Sequence, residues 1–506
     1  MSTAIGRSIM LRVIREPGYV PVTPRVRDIC TTFGITHRAE PRIIADGLRL
    51  DLAPGTITFL TGPSGSGKTS LLAAIAEQSP GAVHVGGARF PADRSIVDGI
   101  APQRPLSTAL EILTACGLGE PRLWVRRFAD LSDGEKFRAA LARTLGSSPE
   151  GRAPAIILCD EFAESLHRRA ARAIAYNLRK LVTRHRLILV AASSHGDLID
   201  DLQPNQILRL NGEQPPSAVL RPEHCRQAVS LRRRATIEPG RLSEYQLFSG
   251  MHYRQRDNLG FVDKVFLLRE RPRGEPLGIV VFAHAPVELA LRNHATGGRF
   301  VRNIRRLNRE LRILRRLVMH PDVRGCGLGH WFVRRTLPQV GVRFVECLAV
   351  MGAVNPVFER AGMTRIGRCP VPRGRLALLE RMRQLKLDPF NPDFASRIAR
   401  YPRVRRLVQE TIHDYVETTQ GGSKFRAVGR RPDELVRAFQ QLLGDPPVYY
   451  LWDREGEFPK YAPISTCRPR GSSPCDNEPT RTEREASGGS DRHRPDGGDS
   501  CRSSSP

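Results

Sequence analysis

The chain has 506 residues, with 79 lysines and arginines against 52 aspartates and glutamates, and a formal net charge of +27. That length accommodates roughly two to four domains, and the charge points to an acidic partner, whether nucleic acid, an anionic surface or an acidic protein. No apolar run reaches the roughly 18 residues of a membrane span, and the N-terminus leads into no apolar core of signal-peptide length. The ten cysteines contain no C-x-x-C pair, which argues against a zinc site or disulfide framework and fits a reducing cytoplasm.

Residues 1–25 read as a short, basic, proline-containing extension. Apolar runs from Val26 to Leu60, punctuated by Gly34, Gly47, Pro54 and Gly55, predict strands. Phe33 or His37 offers a ring that could stack on a purine. The stretch from Thr61 to Ser70 then fits G-x-x-x-x-G-K-[ST], the phosphate-binding loop: Gly62, Pro63, Ser64, Gly65, Ser66, Gly67, Lys68, Thr69, Ser70. The buried-strand pattern of residues 57–60 precedes it and the helical pattern of residues 71–75 follows, as the motif requires. Its glycines let consecutive N–H groups face one anion, and the helix opening at Lys68 adds its partial positive charge. Lys68 should reach the β- and γ-phosphates, and Thr69 should place its hydroxyl on Mg²⁺.

Further along come Gln103 and a helical pattern at residues 110–113. Ser132 then reads as a helix N-cap, with Glu135 completing a capping box. Residues 155–159 form an apolar run into Asp160 and Glu161, the pattern of a buried parallel strand ending in two carboxylates. A second such strand, residues 187–192, closes on Ser193, Ser194 and His195.

In this order, residues 26–212 resemble the ABC-type ATPase family. The resemblance makes residues 62–69 the Walker A loop, Gln103 the Q-loop glutamine and residues 131–135 the signature motif. Asp160 and Glu161 become the Walker B end, residues 164–167 the D-loop, and His195 the switch histidine. It implies ATP binding by the loop residues and by Gln103, Mg²⁺ held by Thr69, Gln103 and Asp160, and catalysis by Glu161, which polarises water, and His195. Ser132 and Gly134 would contact the γ-phosphate of the opposite subunit in a homodimer formed through the ATPase domain. Asp133 and Glu135 depart from the family's Gly and Gln, which favours slow or partner-dependent turnover.

Residues 213–240, with Pro215, Pro216 and Pro222 and three arginines at 232–234, read as a linker. Residues 265–268 and 278–282 predict an antiparallel pair, and residues 314–319 a strand that ends in a glycine-rich turn before a helix. The spacing of Arg324, Gly327 and Gly329, together with a following strand at 345–350 and then Asn355, Phe358, Gly362 and Met363, makes residues 240–370 resemble the GNAT acyltransferases, in an expected domain of residues 241–384. The resemblance implies an acyl-CoA, most simply acetyl-CoA, bound by Met319, Arg324, Gly325, Gly327, Leu328, Gly329 and Asn355. Phe358 stands where many of these enzymes carry a tyrosine acid, so another group (Glu346, Cys347 or water) would have to protonate the thiolate. The pairing of halves resembles a predicted acetyltransferase fusion family and is distantly similar to the Mom-type DNA-modification proteins.

Residues 300–311 predict an amphipathic helix with Phe300, Val301, Ile304, Leu307 and Leu311 on one face. Arg302, Arg305, Arg306 and Arg309 share the other, a candidate nucleic-acid stripe. Residues 385–462 read as a basic helical segment, and residues 463–506 as a disordered tail. The expected fold class is α/β: an ABC-type P-loop ATPase domain, a GNAT-like α+β domain, a helical basic segment and that tail. The expected function is an ATPase coupled to an N-acyltransferase acting on nucleic acid or a nucleic-acid-associated protein. The alternatives are an ATP-gated nucleic-acid-binding protein with a non-catalytic second half, and an ABC-type transporter-like subunit.

Overall fold

The computed structural model describes residues 7–18, 21–37, 40–147, 156–211, 217–220, 229–252, 259–371, 373–418 and 431–458. The expected tail, 463–506, lies outside them. Strand β1 (Arg7–Arg15) pairs antiparallel with β2 (Arg42–Leu52). Its alternation buries Ile9, Leu11 and Val13, so the expected N-terminal extension contains a strand. Helix α1 (Pro24–Phe33) stands where strands were expected. Thr23 caps it, Pro24 begins it and Gly34, at φ +62°, ends it, a complete set of helix signals.

A six-stranded sheet follows, in the order β4-β5-β6-β3-β7-β8. It comprises β3 (Ile57–Thr61), β4 (Val83–His84), β5 (Ile156–Cys159), β6 (Ile188–Ser193), β7 (Gln206–Arg209) and β8 (Ser217–Leu220). All its pairings are parallel except that of β7 with β8. One face packs α2 (Lys68–Gln78) under the β1–β2 ribbon, where Leu71, Leu72 and Ile75 meet Leu11 and Leu50. The other face carries α3 (Leu106–Ala115), α4 (Asp133–Gly146) and α5 (Arg168–Arg184).

A second, seven-stranded sheet runs β14-β15-β13-β12-β11-β10-β9. Its strands are β9 (Thr236–Pro239), β10 (Val262–Arg269), β11 (Pro276–Ala283), β12 (Leu311–Met319), β13 (Phe344–Ala349), β14 (Thr364–Arg368) and β15 (Val448–Asp453). Two sequence expectations change here. The expected linker contains β8 and the edge strand β9. The expected basic helical segment ends in β15, which is inserted between β13 and β14 and antiparallel to both. The only parallel pair in this sheet is β12 with β13, from Leu311 with Phe344 to Leu314 with Cys347. The pairing ends there.

Helices α6 (Ala290–Ala295) and α7 (Ile304–Glu310) precede β12, while α8 (Leu328–Thr336) and α9 (Val357–Arg360) flank β13. Between β14 and β15 lie α10 (Arg373–Gln384), α11 (Phe394–Arg400), α12 (Pro402–Thr418) and α13 (Pro432–Leu442), with a core of their own. Among the described residues no helix is long and apolar enough to cross a membrane.

Candidate nucleotide site and glycine turn

β3 is buried along Ile57, Thr58, Phe59 and Leu60 and delivers the phosphate loop to the start of α2. Two of its glycines are sterically required: a Cβ on Gly62 would lie 2.2 Å from the Leu210 carbonyl oxygen, and one on Gly67, at φ +102°, 2.6 Å from Ile44 Cγ2. Lys68 is buried, and its Nζ donates to the carbonyls of Gly62 at 2.7 Å and Pro63 at 2.9 Å. The ammonium therefore rests on the loop's own oxygens, poised to exchange them for phosphate. Ser66 Oγ is buried without a partner among the described residues, a donor such a ligand would satisfy.

The Thr69 hydroxyl donates to Asp160 Oδ2 at 2.6 Å, across the intervening strand β6. That hydroxyl–carboxylate pair is the donor set magnesium takes in phosphoryl-transfer sites, so the residues fit the ion. Asp160 Oδ1 accepts the Glu161 N–H at 3.0 Å. Glu161 itself, at φ +48°, holds an exposed side chain at the kink that ends β5.

His195 follows β6, and its N–H donates to Ser193 Oγ at 3.3 Å. Glu164, a D-loop residue with no role assigned from sequence, belongs to the same cluster. It accepts from the Ser194 N–H at 2.6 Å and hydroxyl at 2.9 Å. Burial would raise its carboxyl, but those hydrogen bonds and the nearby Lys68 and His195 outweigh it and hold the group below the usual carboxylate range. Only the Asp-Glu-x-x-Glu spacing could have flagged it.

Two groups of expected residues lie on other elements. Gln103 is exposed on a turn. Ser132 N-caps α4, its N–H donating to Glu135 at 2.9 Å, and a Cβ on Gly134 would lie 3.1 Å from Leu166. The unusual acids therefore serve the helix end: Glu135 closes the capping box, and exposed Asp133 lies 3.6 Å from Lys136, a placement the helix dipole favours.

In the second half, β12 runs into a turn and then α8, whose N-cap is Gly327 at φ +89°. The Arg324 guanidinium is committed within the protein: it donates to Met319 O at 3.0 Å and Met251 O at 2.6 Å, and stands 3.6 Å from Glu120. Met319 and Leu328 are buried and Gly325 is exposed. Gly329 has room, its nearest approach to a built Cβ being 3.5 Å. Asn355 is exposed, with its N–H on Met351 O at 2.8 Å.

Phe358 is buried against Tyr450, ring centroids 5.4 Å apart. The Tyr450 hydroxyl donates to Glu359 at 2.9 Å and is raised by burial and then by that carboxylate. Glu346 is fully buried in a salt bridge to Arg292 at 2.7 Å and accepts from Tyr449 at 3.0 Å. The Cys347 thiol is buried and raised.

The expected helix over 300–311 is shorter than its apolar pattern. Asn303 caps it through the Arg306 N–H at 3.0 Å, so it begins at Ile304, and Arg302 precedes it at φ +53°. Val301 and Ile304 are exposed, so the expected apolar face is not wholly buried. Arg305 is exposed, whereas Arg306 and Arg309 lie 3.6 Å and 3.3 Å from Glu310.

A family profile described as ABC transporter matches residues 45–99. The aliphatic sulfonates import ATP-binding protein SsuB 2 of Nocardia farcinica is 33% identical over 155 residues, covering 27% of this chain and 59% of that protein. The lipoprotein-releasing system ATP-binding protein LolD 1 of Rhodopirellula baltica is 28% identical over 200 residues, covering 32% of this chain and 84% of its own length. Among solved structures, the dimeric MJ0796 bacterial ABC transporter cassette aligns with a TM-score of 0.30 at 19% identity, covering 36% of this chain and 92% of that one. With the phosphate loop, Thr69 and Asp160 in one cluster on a parallel sheet, the chain carries an ABC transporter ATPase domain of α/β P-loop fold.

Proposed function

We propose that the chain is a cytoplasmic, homodimeric ATPase coupled to an acyl-CoA-dependent N-acyltransferase that acts on nucleic acid or on a protein bound to it. The observation that carries the ATPase half is the Thr69–Asp160 contact beside the Lys68 ammonium. Magnesium held by Thr69 and Asp160, with Gln103, would neutralise charge between the β- and γ-phosphates. Lys68 binds those phosphates, Glu161 orients the attacking water, and His195 donates to the γ-phosphate. Ser132 and Gly134 of one protomer close the site of the other.

The acyltransferase half is supported by the end of the β12–β13 pairing at Leu314 and Cys347 and by the Gly327 turn that opens α8. A gap between strands accepts an extended thioester arm, and a helix N-terminus accepts a pyrophosphate. Phe358 favours a second reading, an ATP-gated nucleic-acid-binding protein without acyl transfer. The names of the similar proteins favour a third, a transporter-type ATP-binding subunit. Sedimentation of Glu161→Gln with saturating ATP should show a trapped dimer, and Lys68→Ala should show no ATP binding; a monomeric Glu161→Gln chain refutes the paired site. Calorimetry with acetyl-CoA should give heat, and none from the native chain discards the acyltransferase.

A further inference from the structure

The helical insertion between β14 and β15 carries its own core and its own charge. Phe394, Ile398, Val408, Leu435 and Phe439 are buried together, with the Phe394 and Phe439 rings stacked at 6.2 Å. Arg375 fastens the module at its base by donating to the carbonyls of Leu443 at 2.6 Å and Gly444 at 2.5 Å.

Helices α11 and α12 meet at one residue, Tyr401, which is 48% exposed. No aspartate or glutamate occurs from Phe394 to Gln409. Arg397 and Arg400 lead into this corner, and Arg403 and Arg406 lead out of it, each pair three residues apart on its helix. All four are exposed, and among the described residues none has an ion-pair partner. The Arg400 guanidinium stands 5.7 Å from the Tyr401 ring centroid. Like charges at helical spacing repel, so the fold keeps here a charge cluster that does nothing for its own stability. At α7 the reverse holds, because Glu310 gathers Arg299, Arg306 and Arg309.

We propose that the α11–α12 corner is a nucleic-acid contact, with Arg397, Arg400, Arg403 and Arg406 on backbone phosphates and Tyr401 stacking on an unpaired base. A polyanion with regularly repeated phosphates matches four separated guanidinium groups flanking an aromatic ring. A membrane surface fits less well: from Phe394 to His413, Tyr401 is the one exposed large hydrophobic side chain, whereas a helix lying on lipid needs an apolar face. This deepens the nucleic-acid part of the proposed function and is independent of acyl transfer.

The test uses the full chain and fluorescence anisotropy with a duplex DNA, a single-stranded DNA and vesicles of phosphatidylcholine with phosphatidylserine, over a range of salt. Two four-fold variants are compared: Arg397→Gln, Arg400→Gln, Arg403→Gln, Arg406→Gln, and Arg302→Gln, Arg305→Gln, Arg306→Gln, Arg309→Gln. The first should shrink the slope of log affinity against log salt by roughly 3–4 on duplex DNA, the second by much less. Tyr401→Ala should weaken the single strand about tenfold and the duplex little. ATP hydrolysis and acetyl-CoA heat, measured on the same variant, should stay native, so failure here is distinguishable from failure of the enzymatic reading. Circular dichroism checks that each variant is folded. An unchanged slope in the first variant, a larger loss in the second, or native binding to vesicles without binding to either DNA overturns the proposal.

Discussion

Gly325 offers the most direct measure of how the two halves are joined. It sits at φ +82°, and a Cβ there would stand 2.6 Å from the Thr114 carbonyl oxygen at the end of α3 and 3.3 Å from the Asn177 amide on α5. Asn177 cannot easily yield, since its Nδ2 donates to Ala115 O at 3.0 Å. The contact continues on either side: Arg324 lies 3.6 Å from Glu120, Asp322 lies 3.5 Å from His167, and Ala173 of α5 is buried in the core of the second half. Gly325→Ala therefore carries two penalties. The left-handed backbone costs a side chain about 1–2 kcal/mol, and the overlap with a fixed carbonyl costs about 1–3 kcal/mol more. Gly362 is the control, at φ +96° with nothing within 4 Å of a built Cβ, so Gly362→Ala should cost only the first. Urea denaturation of the two variants should differ by about 1–3 kcal/mol through the midpoint. ATP affinity, measured alongside, should change in Gly325→Ala if the turn communicates with the nucleotide site, and not in Gly362→Ala. Variants that agree to within about 0.5 kcal/mol, inside the scatter of neutral substitutions, would refute the claim that the turn bears on α3.

Gly327→Asp places a carboxylate at the N-cap of α8, where the proposed pyrophosphate would sit; acetyl-CoA heat should vanish by calorimetry while ATP binding stays native. Glu346→Gln leaves the fully buried Arg292 guanidinium without its counter-charge, and should cost roughly 3–5 kcal/mol by urea denaturation; a loss near zero would mean that water reaches the pair. His320 is held below the usual imidazole range by burial first, then by Arg169, Arg324 and His167, against Asp322. The unfolded chain therefore takes up that proton first. Stability is complete above the unfolded value of about 6.5 and is lost as pH falls towards the lower folded value. Thermal midpoints should drop on acidification through that window, and His320→Asn should flatten the drop.

The phosphate loop was legible because its chemistry is local: strand, glycines, lysine, hydroxyl and helix occupy one short stretch. Asp160 could be placed with it because a buried parallel strand ending in a carboxylate is a local pattern too. β1 was also readable, since Ile9, Leu11 and Val13 alternate, but the surrounding arginines and prolines carried the reading towards an extension. β15 was hidden by position. The run from Val448 to Trp452 is rich in strand-forming residues, yet it follows helices from residue 373 to 442, and no local signal says that it returns to pair with β13. The Gly325–Thr114 approach and the Glu164–Ser194 bond could not be read at all, because each joins residues far apart in sequence.

One short segment makes contact in three directions. Asp160 accepts from Thr69 at the head of α2, Glu164 accepts from Ser194 beside His195, and His167 lies 3.5 Å from Asp322 in the glycine turn of the second half. The positive φ angles of Glu161 and Ala163 hold its kinked path, and α5 begins immediately after it. A ligand that pulls Thr69 and Asp160 onto a metal must strain or shift this segment, and the shift has a direct way to Asp322. Coupling by this path is reciprocal: whatever displaces the glycine turn must change nucleotide affinity by the same factor that nucleotide changes the turn. With the Gly325–Thr114 approach and the Arg324–Glu120 pair, the segment from Asp160 to His167 is a place where the two halves can exchange free energy.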